Sequence, residues 1–417
     1  MLFAIAAHGT RGDIEPCTAL GLEMSRRGHE VRMAVPPNLI GFVESAGLHA
    51  VAYGPDSQQQ LDSEFFREFW RIQNPVALIR AGREYLAQGW AEMSATLVSL
   101  ADGADLLMTA TTYQEVAANV AEHYNIPSAA LHYFPLRANG HIAFPGLPFP
   151  APVIRSATSA IWWLHWQMTR EVENRQRREL GLPEASTTSG ERSMRRGALE
   201  IQAYDKVCFP GLAQEWAGSR PFVGALTLQL DTEADDEVMA WAKAGTPPIY
   251  FGFGSMPLDT PEDTITMIAS VCAQLGERAL ICSNRLAGTS FTGGMANDRT
   301  KVVAAVKHAV VFPACKAVVH HGGAGTTAAG MRAGVPTLVL WVGADQPIWA
   351  AAVKRLGVGE SGRLNGTTPT SLAADLRRIL RQGCVDRAHE VASQLTTPHE
   401  SVDAAAHLLE RQLVSQV

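Results

Sequence analysis

"AVVHHGGAGTTAAGMRAGVP", residues 317–336, reads as a buried strand, a glycine-rich turn and the start of a helix. Glycines 322, 323 and 325 let backbone approach a ligand closely, and a helix beginning near Ala324 aims free N–H groups at it. Thr326 and Thr327 add hydroxyl donors in the first turn. His320, at the strand end, can hydrogen-bond a phosphate oxygen. Together these residues form a pyrophosphate cradle; taken alone, the turn is also compatible with a plain strand-to-helix connection. No G-K-[ST] follows, and the glycine spacing is not G-x-G-x-x-G.

Around this stretch, "PIYFGFGSM", "RALICS", "KVVAAV" and "PTLVLWV" supply further strands, each with a helical partner. The same rhythm runs from the start of the chain: "LFAIAA", a helix from Ile14 to Arg27, "VRMAV", a short helix from Leu39 to Ser45, "HAVAY", "DLLMTA" and "PSAALHYF". Such βαβα alternation predicts parallel sheets covered by helices on both faces. At 417 residues the chain exceeds one ordinary core. Two doubly wound α/β domains are expected, 1–220 and 225–395. A polar linker, "FVGALTLQLDTEADDE", joins them. A last helix within 399–417, with Val402, Ala405, Ala406, Leu409 and Leu413 at helical spacing, is expected to cross back to the first domain.

Composition narrows the partners. Apolar residues make up 47% and charged residues 18%, with a net charge of -6, which gives no general attraction for nucleic acid or anionic lipid. Six cysteines without C-x-x-C spacing read as reduced core thiols of a cytoplasmic protein. The start lacks the basic region of a signal peptide, and no run reaches the roughly 18 apolar residues of a spanning helix.

Two more turns carry chemistry. Asp345 and Gln346, in "LWVGADQPIWA", fall at a strand's carboxyl end, where open α/β sheets bind ligands. A carboxylate and an amide suit sugar hydroxyls, and Asp345 is also a natural helix N-cap. Ser255, in "GFGSM", ends another strand and would face the cleft, with capping as its plainer role. Near the N-terminus, "HGTRGDIEP", residues 8–16, sets His8, Thr10, Arg11 and Asp13 on a tight turn between strand and helix.

The set "HHGGAGTT…ADQ", "FGFGSM" and "GTRGDIEP" closely resembles the GT-B glycosyltransferases that decorate natural products, such as the vancomycin-group and macrolide enzymes. "GTRGDIEPC", "VRMAVPPNLIGF" and "LWVGADQPIWAAAVKRLGVG" resemble mycobacterial glycosyltransferases of cell-envelope glycopeptidolipids and related glycolipids. The resemblance runs through both domains and fails mainly at about 55–200. It implies two Rossmann-like domains facing across a cleft and a TDP- or UDP-sugar donor. His320, Gly322, Gly323, Gly325 and Thr326 would hold the diphosphate, helped by Ser255, Thr10 and Arg11. Val306 would meet the nucleobase through its backbone, and Asp345 and Gln346 would hold the sugar. Asp13 would be the general base, with His8 its rival. Plant relatives carry Trp-Asn-Ser where Gly323, Ala324 and Gly325 stand, so their asparagine contacts do not transfer.

Inverting transfer needs a base for the acceptor hydroxyl and stabilisation of the departing diphosphate. Asp13 meets the first need; its alternative is to cap the helix at Ile14. Arg11 would either lower the pKa of Asp13 or bind phosphate. The helix terminus and His320 would offset the diphosphate charge without a metal, and no Asp-x-Asp lies beside the cradle. A retaining enzyme would keep an acidic pair around the sugar, yet Asp345 is the one carboxylate between Lys301 and Gly359. A dinucleotide oxidoreductase fails on the glycine spacing. A non-catalytic sugar-nucleotide or lipid-binding protein on the same fold is the competing class. In the variable region, Phe65, Phe66, Phe69, Trp70, Trp162, Trp163 and Trp166 read as core, as an apolar acceptor channel, or as a surface resting on a membrane. The resemblance favours a lipid-linked or otherwise apolar acceptor over a free small-molecule natural product.

Overall fold

The computed structural model describes residues 1–63, 80, 82–84, 87–142, 149–228, 235–254, 261–283 and 299–414. Phe65, Phe66, Phe69, Trp70 and Ser255 lie outside them. The chain divides into two compact units, Met1–Leu228 with Pro398–Val417, and Gln229–Thr397. The first extends past residue 220 because Val223 bonds to Gln202 and the Leu228 amide donates to Glu15 Oε1.

In the first unit, β1 (Leu2–Ala6), β2 (Glu30–Val35), β3 (Ala50–Ala52), β4 (Leu106–Thr109), β5 (Ser128–His132) and β6 (Leu199–Gln202) form one sheet. Its order is β3-β2-β1-β4-β5-β6, and every pairing is parallel. Its main helices are α1 (Arg11–Arg26), α2 (Trp90–Ala101), α3 (Gln114–His123) and α4 (Ala151–Glu179). Strand β1 is buried throughout, as a strand covered on both faces must be. Ala4, Ala6, Trp90, Leu97, Leu107 and Val116 meet in one of the cores that cover it.

The second unit repeats the plan. Strands β7 (Ile249–Gly252), β8 (Ala279–Cys282), β9 (Thr300–Val303), β10 (Ala317–His320), β11 (Thr337–Trp341) and β12 (Gly359–Arg363) pair in the order β12-β11-β10-β7-β8-β9. The flanking helices include α5 (Pro261–Leu275), α6 (Ala324–Arg332), α7 (Gln346–Leu356) and α8 (Pro369–Ile379). Counted from each unit's own first strand, the two orders are the same: 3-2-1-4-5-6.

Helix ends are set by end chemistry as well as by periodicity. Helix α1 begins at Arg11 rather than Ile14, because Thr10 is its N-cap and Asp13 its third residue. Helix α4 begins at Ala151, with proline in its first turn, where the missing N–H costs nothing. The last helix, α9 (Pro398–Val414), buries Ala405, Ala406 and Leu409. It belongs to the first unit, where it packs on α1.

One arginine ties α9 down. Arg27 bonds Glu23 and Glu410 at 2.8 Å each and also pairs with Asp403, while His29 reaches Glu410 at 3.0 Å. Arg27→Ala should therefore lower stability by about 1.5–3 kcal/mol, the range for hydrogen bonds to charged groups. Arg27→Lys should recover only part, since an ammonium cannot fork between carboxylates. Urea unfolding of the two variants measures this; an unchanged midpoint for Arg27→Ala would remove Arg27 as the anchor.

Candidate active site

In each sheet the strand order reverses beside the unit's first strand, between β1 and β4 and between β7 and β10. Doubly wound sheets bind ligands outside the carboxyl ends of strands at such points. The turn "HGTRGD" follows β1, and the turn "HGG" follows β10. The fold thus brings each chemistry-bearing stretch to its own unit's switch point.

In the first unit, Asp13 is half-buried at the start of α1. The Thr10 amide donates to Asp13 Oδ2 at 2.7 Å and the Thr10 hydroxyl donates to the same oxygen at 3.1 Å. Burial pushes the Asp13 carboxyl up to about 6, against the opposing pull of those hydrogen bonds. A carboxylate that titrates near neutrality is matched to proton transfer at physiological pH. Gly9 is needed beside it: φ is +137°, and a Cβ there would lie 2.4 Å from Asp13 Oδ2. Tyr133 donates its phenol hydrogen to the Asp13 carbonyl at 2.6 Å, which fixes the backbone beneath the carboxylate.

The neighbours divide their roles. Arg11 pairs with Glu15 at 3.3 Å and lies over the Phe42 ring, so it does not depress the Asp13 pKa. The Thr10 hydroxyl is spent on Asp13. His8 is buried; its Nε2 meets the Pro55 carbonyl at 3.0 Å, and its ring packs edge-on against Tyr53 and Tyr113. Burial lowers its pKa. Its Nε2 is thus engaged within the first unit. Asp13 is not the N-cap weighed from sequence but the cap's reciprocal partner.

In the second unit, the Gly322 amide donates to His320 Nδ1 at 2.9 Å. The neutral ring therefore carries its hydrogen on Nε2, which is buried and has no partner. Burial, with His321 and His308 nearby, holds the His320 pKa well below the usual histidine range. In the free protein His320 is thus a neutral donor. Gly322 has φ +98°, and a Cβ there would meet Val339 at 2.8 Å. Helix α6 starts at Ala324 with Gly323 as N-cap and no capping side chain. Its first internal bond runs from the Thr327 amide to the Gly323 carbonyl. Among the described residues, the amides of Ala324, Gly325 and Thr326 and the Thr326 hydroxyl make no hydrogen bond. Thr327 is a correction: its buried hydroxyl bonds back to the Gly323 carbonyl at 2.8 Å and is not offered to a ligand. His321, which sequence reasoning passed over, buttresses the turn. A Cβ on Gly323 would lie 2.8 Å from its Nε2, and one on Gly254 2.8 Å from its Cε1.

The third turn is shaped from within. Gln346 is buried, and its Oε1 accepts from the Val342 and Gly343 amides at 2.8 and 3.2 Å. Ala344 has φ +57°, a conformation costing an alanine roughly 1–2 kcal/mol. Asp345 is half-buried at the N-cap position of α7 but makes no side-chain cap. Val306 buries its side chain in the core with Tyr250 and Phe312, so only its backbone can meet a ligand. Among the tryptophans, Trp166 is buried, as the core reading of these aromatics expects. Trp162 is half-buried and donates from Nε1 to the Leu136 carbonyl at 2.8 Å. Trp163 is 55% exposed. No cluster of three metal-ligating side chains occurs among the described residues.

Residues 3–140 match the glycosyltransferase family 28 N-terminal domain, and residues 292–408 match the C-terminal domain of the erythromycin biosynthesis protein CIII-like family. A glycosyltransferase of Mycobacterium tuberculosis H37Rv is 61% identical over 98% of both chains. A Mycobacterium leprae glycosyltransferase is 56% identical over 98% of this chain and 96% of its own. A sterol 3-beta-glucosyltransferase of Arabidopsis thaliana is 28% identical over 98% of this chain and 68% of its own. Among solved structures, the kitacinnamycin glycosyltransferase superposes with a TM-score of 0.70 at 18% identity, over 99% of both chains. The spinosyn rhamnosyltransferase complexed with thymidine diphosphate gives 0.68 at 18% identity, over 98% of this chain and 100% of its own. The two doubly wound units are those of a GT-B glycosyltransferase. Within that class, the chain belongs to the glycosyltransferase family of the mycobacterial relatives.

Gly325 offers a test of the cradle. Nothing lies within 4 Å of where its Cβ would be, so no contact inside the protein demands glycine. Gly325→Ala should fold with an unchanged or slightly higher midpoint, since glycine costs a helix up to about 1 kcal/mol relative to alanine. The same change should weaken thymidine diphosphate at least about tenfold, or ~1.4 kcal/mol, by filling the approach. Calorimetry showing equal affinity would make the open space incidental.

Proposed function

We propose that the enzyme transfers a hexose or 6-deoxyhexose, with inversion, from a nucleoside diphosphate sugar to a hydroxyl of an apolar acceptor. The observation that carries the donor half is the buried His320 Nε2–H, left without a partner beside three unbonded amides at a helix start. Four N–H donors in the strand end and the helix start that follows it suit a diphosphate. Two structural neighbours are named as complexes with thymidine diphosphate, which favours a TDP- or UDP-sugar. Asp345 is the group proposed to hold the sugar, and the Val306 backbone the nucleobase. Asp13 is the base: it takes the acceptor proton as the acceptor oxygen attacks the anomeric carbon and the diphosphate leaves with its bonding pair.

The acceptor is proposed to be a lipid-linked molecule, such as a cell-envelope glycopeptidolipid or glycolipid. A relative named as a sterol glucosyltransferase is consistent with an apolar acceptor. So is the outer face of α4, where Val153, Ile161, Trp163 and Leu164 are each 46–55% exposed. The segment has no acidic residue from 151 to 170, which suits peripheral contact with the inner face of a membrane. Thermal shift against TDP- and UDP-sugars tests the donor, because binding raises the unfolding midpoint by linkage. No shift with any nucleotide sugar would reject it.

Asp345→Ala should weaken the nucleotide sugar far more than the free nucleoside diphosphate, and equal weakening would assign Asp345 to loop structure alone. Asp13→Asn should bind donor normally and transfer at least about a hundredfold more slowly. Near-normal turnover would remove Asp13 as the base. Stability should move the other way. The Asp13 pKa is about 6 when folded against the ordinary 3.8, so the folded state holds more protons between these values. Wild-type stability therefore falls relative to Asp13→Asn as pH rises from about 4 through 6. Paired melts at pH 4.5 and 7.5 check that sign.

A further inference from the structure

We propose that Thr10 is a positioning residue for Asp13: it holds Oδ2, so that Oδ1 is the oxygen presented to the acceptor hydroxyl. The inference rests on Asp13 being the base. Both Thr10 donors, the amide at 2.7 Å and the hydroxyl at 3.1 Å, fall on Oδ2. Among the described residues no side chain bonds Oδ1, and Oδ1 is not among the buried atoms left without a partner. The carboxylate occupies the space that a side chain at residue 9 would need, a Cβ there falling 2.4 Å from Oδ2. Tyr133 fixes the Asp13 carbonyl at 2.6 Å, so the backbone cannot turn the group over.

The surrounding groups leave this task to Thr10. Arg11 and the Leu228 amide both engage Glu15. Cys17 and Tyr133 lie close on the inner side, and burial pushes both pKa values up, so both are neutral. His8 is engaged with Pro55. Thr10 is therefore the side-chain hydrogen donor on this carboxylate. Its single hydroxyl hydrogen is committed there and is not available to a donor phosphate, the role its place in the turn first suggests. In the transfer, the acceptor proton passes to Oδ1 while Oδ2 keeps its two hydrogen bonds.

The hydroxyl bond favours the ionised carboxylate, and its loss should raise the pKa of Asp13. The test uses the full chain labelled with [γ-13C]aspartate, the Asp13 resonance being identified by its absence in Asp13→Asn. Thr10→Val keeps the amide and the side-chain shape but lacks the hydroxyl. Its Asp13 titration midpoint should lie about one pH unit above wild type, the usual scale for a hydrogen bond to a charged group. Thr10→Ser should restore the midpoint, and thymidine diphosphate should bind all three proteins equally. An unmoved midpoint in Thr10→Val overturns the proposal, and an unmoved midpoint with thymidine diphosphate weakened tenfold makes Thr10 a phosphate ligand. Turnover of Asp13→Asn is read separately: normal turnover rejects the base assignment itself, whatever the titration shows.

Discussion

The Gly322 amide gives its hydrogen to His320 Nδ1 over 2.9 Å, and that bond decides what the end of β10 can offer. With Nδ1 occupied, a neutral imidazole must point its remaining hydrogen from Nε2, where no group among the described residues receives it. A buried donor left unmade costs about 1–3 kcal/mol. Three amides at the start of α6 carry a similar deficit, though nearer to water. The second unit thus keeps a set of unmet donors at one strand end and the helix start that follows it. Gly322 adopts a φ that permits the bond, His321 supports the turn, and Gln346 braces the neighbouring loop. Each acts on the shape of this donor set.

The first unit solves the opposite problem. Its turn holds an acceptor of protons, and burial places that carboxylate near neutrality. A fully satisfied Asp13 would be a poor base and an exposed one too weakly basic. Two hydrogen bonds on one oxygen and partial burial of the group lie between these extremes. Both devices sit at the same point of the same strand order, so one topology serves two kinds of chemistry.

Much of this was legible in the sequence. Alternation of apolar runs with helical segments pointed to two parallel sheets, and the glycine-histidine turn falls at the second unit's switch point, where the cradle is proposed. The start of α1 was misread by three residues because Gly12 and Pro16 obscure its period, although Thr10-x-x-Asp13 is a capping pattern. Strands β6 and β12 escaped notice: "LEIQ" and "GESGR" are short and lack an apolar run. The sheet dictates them, through pairing with β5 and β11. Whether a donor is free or spent was beyond reach, since it depends on three-dimensional neighbours. Thr10 and Thr327 both looked like ligands and are both committed internally. Of the two tryptophans at 162 and 166, the second is buried and the first half-buried.

The measurement closest to the heart of the matter is residue-level amide hydrogen exchange of the whole chain with and without thymidine diphosphate. The amides of Ala324, Gly325 and Thr326 have no acceptor in the free protein and should exchange fast. The expected result is that the nucleotide slows exchange at these three positions, because its phosphate oxygens become their acceptors. Unchanged exchange there, under nucleotide concentrations that protect amides elsewhere in the chain, would contradict the assignment of this turn as the diphosphate cradle.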